Sequence, residues 1–549
     1  MSLSTTLSNS AVRSCAKYRP EVVIVVVALL LRLVLLELKP PHFDEGVNGF
    51  FVDQMTREGP YHYDPTNFHG PLHFYFLFLM QTLFGRHVWA LRLPTVLFST
   101  LCVVVALCYR RYLGRTTCRL AACGIALSPA MTFYGRYAIH ESFLLLVLMI
   151  AVWGLIGLWR DGTRTALWAT ALGIAGMILT KETYAIHLTA LALAAPTLLG
   201  LEWLSPAADE PRRPPQWTGR DWEIAIAVSL GAIVFFYSGA LMSWGDLPGL
   251  WTTFKTWVQT GTEKGGGHAK DGYYWITLLA RYEWAAFFGM VLSPLLVVER
   301  SLRSLRFLVI AGLGTLVAYT IIRYKTPWCI IVLIWPFFFV FGAVVERLMA
   351  LARTPQPEGG GAGAPPREKL PVWLPVGLAA LLLGHSAFWS VGLNFFWYDD
   401  ETEPYVYVQT KRDVNQLMDP LGKMVALDRS NYQLKGVILL ETEGDNHPLP
   451  WLLGDFTGVE TLHEASPARE TMDADFLFIQ NPFVGDVEDR LRHPYFREKM
   501  TLRGSSELTG ELYFDARKFA PVFPGRAPEF QPAAPAPPAE TPVPAPEPP

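Results

Sequence analysis

The chain has 549 residues, of which 51% are hydrophobic and only 17% charged, and its formal net charge is −3. A soluble chain normally carries about 25% charge, so composition excludes a single soluble globule, a disordered chain and a nucleic-acid binder with a generally basic surface. The near-neutral total is a sum of two unlike pieces, about +9 over residues 1–396 and about −12 over residues 397–549.

In chain order, a short basic N-terminus (1–20) precedes a long apolar region. A bilayer core of about 30 Å needs about 20 mostly apolar residues per helix. Eleven stretches meet that need: 21–39, 88–109, 118–135, 139–159, 165–180, 183–203, 222–244, 283–298, 307–322, 328–348 and 372–396. They predict a polytopic α-helical membrane protein whose multi-span domain covers 21–396, with a first outer loop at 40–87. The stretch 70–84 is apolar but too short to cross and reads as an interfacial or re-entrant helix. The first span lacks a small-residue cleavage site and is followed by Lys39-Pro40-Pro41-His42, so it reads as a span rather than a signal peptide.

Loops that collect Lys and Arg without matching acids mark the cytoplasmic side. These are the odd-numbered connections: Arg13, Lys17 and Arg19; Arg110, Arg111, Arg115 and Arg119; Arg160 and Arg164; Arg212, Arg213 and Arg220; Arg300, Arg303 and Arg306; and Arg347, Arg353, Arg367 and Lys369. Eleven spans then place the N-terminus in the cytoplasm and the acidic C-terminal piece outside. The six cysteines all lie in the first piece, and no disulfide framework or Cys-based zinc site is readable.

From about Tyr398 short apolar runs alternate with charged stretches. Strands are expected at 435–440, 476–480 and 511–514, and helices at 411–421 and 487–500. The result is a small extracytoplasmic α/β domain at 397–523, followed by a Pro/Ala-rich tail at 524–549 that cannot bury a core. The Gly/Pro-rich stretch 355–366 reads as a flexible cytoplasmic loop.

Candidate chemistry gathers in the outer connections. Phe43-Asp44-Glu45-Gly46 puts two carboxylates at a membrane boundary, where one could take a proton from an acceptor hydroxyl. The same residues also suit a helix start, with Asp44 as cap and Glu45 favoured by the helix dipole. The loop continues through Tyr63, Asp64 and His69 to His73; the two histidines, four apart, could share a helix face as metal ligands or be hydrogen-bonded surface residues. Arg136-Tyr137-Ala138-Ile139-His140-Glu141 forms a very short connection. Thr180-Lys181-Glu182 interrupts an apolar run, and Arg323-Tyr324-Lys325-Thr326-Pro327-Trp328 lies between the ninth and tenth spans. Cations on that face can hold a lipid phosphate as it departs, while an acid deprotonates the attacking group.

These motifs, in this order and on one face, resemble the GT-C glycosyltransferases. The likeness is to the dolichyl-phosphate-mannose protein mannosyltransferase and aminoarabinose transferase group, and especially to a prokaryotic flippase-activity-associated branch. It rests on Asp44-Glu45-Gly46, Tyr63-Asp64-Pro65, His69-Gly70-Pro71-Leu72, Arg136 to Glu141, Thr180-Lys181-Glu182, Tyr324 to Trp328 and His447-Pro448-Leu449-Pro450-Trp451, and spans about residues 20–520. It implies inverting transfer of a monosaccharide from a polyprenyl-phosphate donor to a lipid, glycan or protein acceptor at the extracytoplasmic face of a prokaryotic inner or plasma membrane. Asp44 and Glu45 would be catalytic, and Arg136, Lys181, Arg323 and Lys325 donor-phosphate contacts. Glu141, with His140, Tyr63, Asp64 and His69, would form the acceptor or second acidic site. Some members of the superfamily hold a divalent metal and others none, so metal use stays open. The competing class is a non-catalytic accessory protein or transporter for lipid-linked sugars, which would more often show internal repeats and midplane polar sites.

Overall fold

The structure is a computed structural model. It describes residues 3–67, 69–208, 210–262, 268–298, 301–353, 371–442, 444, 446–463, 470–504 and 508–532. The expected loop at 355–366 and the tail beyond 532 lie outside the described residues. The chain divides into two compact units, residues 1–407 and 408–549.

The first unit is helical. Its first elements are α1 (Leu3–Leu33), α2 (Phe43–Glu58), α3 (Leu72–Phe84), α4 (Val88–Cys108), α5 (Arg110–Leu113), α6 (Arg115–Leu127) and α7 (Pro129–Phe133). There follow α8 (Glu141–Arg160), α9 (Arg164–Ile178), α10 (Tyr184–Leu204), α11 (Gly219–Tyr237), α12 (Gly249–Thr262) and α13 (Tyr274–Tyr282). It closes with α14 (Trp284–Val298), α15 (Arg303–Ile321), α16 (Ile330–Arg353) and α17 (Trp373–Phe395).

Each of the eleven expected apolar stretches overlaps a helix, although 21–39 leaves helix after Leu33 and 222–244 after Tyr237. The third is broken at Ser128-Pro129, where the Ser128 hydroxyl caps α7 and proline occupies its first position. By length and composition six helical stretches among the described residues can cross a membrane: Val88–Leu113, Glu141–Arg160, Tyr184–Leu204, Arg303–Ile321, Pro327–Arg353 and Trp373–Phe395. Leu72–Phe84, Arg164–Ile178 and Trp284–Leu296 are apolar but shorter. The protein is an integral membrane protein. Its α8 packs on α9, α16 on α6 and α14, and α10 on α15. Glycines permit the closest approaches: a Cβ on Gly342 would stand 2.3 Å from the Thr117 carbonyl oxygen, and one on Gly289 would stand 2.0 Å from that of Phe337. α16 is buried almost throughout its first half, whereas α10, α11 and α17 expose Leu, Val, Phe and Trp side chains, as lipid-facing helices do.

The second unit contains α18 (Val414–Leu427), β1 (Lys435–Leu439), α19 (Leu449–Leu452), β2 (Gly458–Leu462), β3 (Phe476–Gln480), α20 (Val484–Glu488), β4 (Tyr495–Arg503), β5 (Leu508–Asp515) and α21 (Ala516–Phe519). The sheet order is β2-β1-β3-β5-β4; β1 runs parallel to β2 and β3, and β5 runs antiparallel to β3 and β4. Apolar clusters cover both faces.

The helix expected at 487–500 does not form. The chain leaves α20 at Glu488, and Pro494 precludes a helix across that point. Tyr495 to Arg503 instead joins β5 as an edge strand. The polar β2 gave no period-2 signal and was not expected.

Candidate functional site

One end of the first unit gathers the segment after α1, the start of α2, and residues 134–141, 179–183, 268–270, 323–329 and 403–407. Buried arginines hold it together. Arg136, expected to contact donor phosphate, instead donates to the carbonyls of Leu31 (3.1 Å), Arg32 (3.1 Å), Val34 (2.7 Å) and Leu35 (2.6 Å), and lies 5.0 Å from the Phe395 ring. Its guanidinium therefore caps carbonyls at and just beyond the end of α1. Arg92, on α4, continues this pattern with the carbonyls of Leu36 (2.6 Å), Lys39 (3.0 Å) and Pro40 (3.1 Å).

Pinned in this way, the chain enters α2 through a capping box. The Asp44 amide donates to His42 Nδ1 at 3.1 Å and the His42 amide to Glu45 Oε2 at 2.8 Å. Because His42 Nδ1 accepts, its proton sits on Nε2, which donates to the Tyr407 carbonyl at 2.8 Å.

The two adjacent acids have opposite surroundings. Glu45 is wholly buried and takes both guanidinium bonds of Arg92 at 2.7 Å, with amide bonds from His42 and from Ala138 at 2.8 Å. Burial opposes its charge, but Arg92 and the two amides outweigh that effect and hold the carboxyl below its usual range. Glu45, expected to be catalytic beside Asp44, thus has its carboxylate lone pairs occupied by Arg92 and two amides. Asp44 is half-buried, and its carboxylate has no hydrogen bond or ion pair among the described residues. It acts electrostatically on His268, Tyr324 and Tyr407.

These three groups form an aromatic wall. Residues 268–270 pair with 323–325 through Lys270 N–H to Arg323 (3.1 Å) and Lys325 N–H to His268 (3.0 Å). The Tyr407 hydroxyl lies 2.9 Å from His268 Nδ1, and the His268 ring lies 4.8 Å from that of Tyr324. Burial lowers His268, with Asp44 opposing and Lys270 assisting. Lys325 is buried and donates to the carbonyls of Lys270 (3.3 Å) and Ile322; burial lowers it as well, against Asp271 and with Arg323. Arg323 is exposed.

The second half of the site is built by an isolated bridge between His69 and Lys181. Gly70 N–H donates to Thr180 and Leu72 N–H to Leu179, both at 3.0 Å. Lys181 is ion-paired with Glu141, and His69 Nδ1 lies 3.1 Å from Glu182 Oε2. Burial disfavours the Lys181 charge, but Glu141 first, and Glu182 with it, raise the ammonium well above its ordinary range. His140 sits between His69 and His73, with ring centroids at 4.6 and 4.4 Å. Both Lys181 and Asp44 act electrostatically on the Tyr324 hydroxyl.

The remaining candidates have other duties. Asp64 closes a turn by accepting from the Thr66 amide (2.8 Å) and hydroxyl (2.7 Å). Tyr63 is buried, 4.6 Å from the Tyr237 ring. Among the described residues no group of three or more His, Cys, Asp or Glu side chains is arranged to hold a metal ion. Residues not anticipated are Lys39, Arg92, His268 and Tyr407. Lys39 is fully buried, with its ammonium 3.8 Å from the ring centroids of both Phe133 and Tyr137. Arg92 did leave a signal, being an arginine within an apolar helix.

A Cβ on Gly70 would stand 2.4 Å from the backbone carbon and oxygen of Leu179. Gly70→Ala is therefore expected to separate His69 from Lys181 and cost about 1–3 kcal/mol, read as a lower unfolding midpoint in detergent.

Residues 68–205, which carry this second half, match the dolichyl-phosphate-mannose-protein mannosyltransferase family. The chain is similar in structure to ArnT from Cupriavidus metallidurans bound to undecaprenyl phosphate, with a TM-score of 0.61 at 13% identity over 90% of this chain and 97% of that one. Against the apo state of ArnT the TM-score is 0.60 at 14% identity, covering 90% and 98%. No curated protein sequence matches the chain. The fold is thus like that of ArnT.

Proposed function

We propose that the chain is a membrane glycosyltransferase that moves a monosaccharide from a polyprenyl-phosphate donor to a hydroxyl acceptor at the extracytoplasmic face. The observation that carries this reading is that one end of the unit holds both Asp44, a carboxylate with no hydrogen bond or ion pair among the described residues, and the buried cation Lys181, and that both act electrostatically on the Tyr324 hydroxyl. Support comes from the family match over 68–205 and from the shared fold, whose ArnT example is bound to undecaprenyl phosphate.

In this mechanism the acceptor hydroxyl attacks the anomeric carbon while Asp44 takes its proton. The bond between that carbon and the phosphate oxygen breaks, and the phosphate leaves with both bonding electrons. Lys181, with Arg323 and Lys325 from the segment before α16, neutralises the charge that grows on it. A single displacement inverts the anomeric configuration. Glu141 fixes the Lys181 ammonium, and His69 occupies Glu182. The test is transfer of labelled sugar from synthetic undecaprenyl-phosphate donors by the purified full chain. Transfer supports the reading; movement of intact donor across the bilayer without transfer would favour a transporter instead.

The same reading fixes sidedness. In a cysteine-free background, His62→Cys and Asp428→Cys, both exposed, are expected to react with an impermeant maleimide in intact cells. The exposed Arg110→Cys is expected to react only after permeabilisation. Protection of the first two would reverse the topology.

A further inference from the structure

Glu45 joins three separate segments with one carboxylate. It receives the His42 amide at the start of α2, the Arg92 guanidinium from α4, and the Ala138 amide in the connection that leads to α8. A second tie runs beside it, from Asn48 Nδ2 to the Ala138 carbonyl at 2.7 Å. Arg92 carries the link onward to the carbonyls of Leu36, Lys39 and Pro40. One residue before Glu45 stands Asp44; three residues after Ala138 stands Glu141, the partner of Lys181.

We infer that Glu45 and Arg92 are positioning residues that set the separation between the Asp44 carboxylate and the Glu141–Lys181 pair, holding the two halves of the site in one register. The inference rests on the glycosyl-transfer reading above. Its physical basis is that a proton acceptor and a leaving-group cation act together only when both are held close to the reacting geometry, and a misplacement of about 1 Å can cost about a hundredfold in rate. A fully buried charge pair with every lone pair in use is suited to that role, because neither partner can turn without leaving a buried charge uncompensated. Glu45→Gln keeps the side chain's size, but its amide nitrogen cannot accept and must face a donor.

The experiment uses the purified full chain in nanodiscs, first confirmed to be folded by its unfolding midpoint. Glu45→Gln and Arg92→Lys are expected to lower kcat about 10- to 100-fold, with the donor KM and the affinity for undecaprenyl phosphate within about threefold of wild type. The acid limb of the kcat profile should stay where wild type has it, since Asp44 still supplies the base. An independent readout needs no substrate: amide hydrogen exchange over 137–141 should rise in Glu45→Gln and, to a smaller extent, in Asn48→Ala. Asn48→Ala carries the test if Glu45→Gln does not fold. Wild-type kcat in the Glu45 and Arg92 variants, loss of the acid limb in Glu45→Gln, or unchanged exchange over 137–141 would each overturn the inference. A wild-type chain that transfers no sugar would instead count against the glycosyltransferase reading, and the exchange result would still decide whether Glu45 couples the two segments.

Discussion

Asp44→Asn is expected to lower the rate of sugar transfer by about 10²- to 10⁴-fold, the usual contribution of a positioned general base, while undecaprenyl phosphate still binds. The asparagine is nearly isosteric and keeps its place in the first turn of α2, because the cap there is made by the Asp44 amide and the His42 ring rather than by the Asp44 side chain. What is lost is a carboxylate, without a hydrogen bond among the described residues, that acts electrostatically on His268, Tyr324 and Tyr407. Lys181 and Glu141 lie in a separate bridge and should be unaffected. Steady-state transfer and equilibrium binding of undecaprenyl phosphate, measured on the same preparation, separate the two effects. Undiminished transfer would remove Asp44 from the chemistry.

The largest effect on stability is expected at Arg92→Ala. Glu45 would then be a wholly buried carboxylate with two amide bonds and no ion-pair partner, and breaking a buried pair in this way costs about 3–5 kcal/mol. The same change frees the carbonyls of Leu36, Lys39 and Pro40, which leaves the turn between α1 and α2 without its anchor. The measurement is the unfolding midpoint in detergent beside that of Arg323→Ala, whose side chain is exposed and whose removal should change the midpoint little. Equal midpoints for the two variants would show that the buried network contributes nothing to stability.

The membrane helices were legible in the sequence because apolar length is a strong local signal, and each expected stretch overlaps a helix. The strands at 435–439 and 476–480 were legible as β-branched and aromatic runs. The edge strand 495–503 was not, since its charged residues Arg497, Glu498 and Lys499 give the pattern of a solvated helix, and only pairing with β5 decides its state. Asp44 could be found from its place beside a span, and Lys181 as an ionisable residue interrupting an apolar run. The sequence could not separate Asp44 from Glu45, because their difference lies in a guanidinium 47 positions away. Arg136 misled for the same reason: its sequence neighbours are site residues, but its hydrogen bonds go to the end of α1. His268 follows a Gly-rich stretch and gained meaning only when residues 268–270 paired with 323–325.

The measurement that bears most directly on this account is the anomeric configuration of the product, determined by NMR after the purified full chain has acted on an undecaprenyl-phosphate sugar of defined configuration. One displacement with Asp44 as base and phosphate as leaving group predicts a product of inverted configuration and free undecaprenyl phosphate in equal amount. A product of retained configuration, or label that stays on the donor with every acceptor tried, would contradict it.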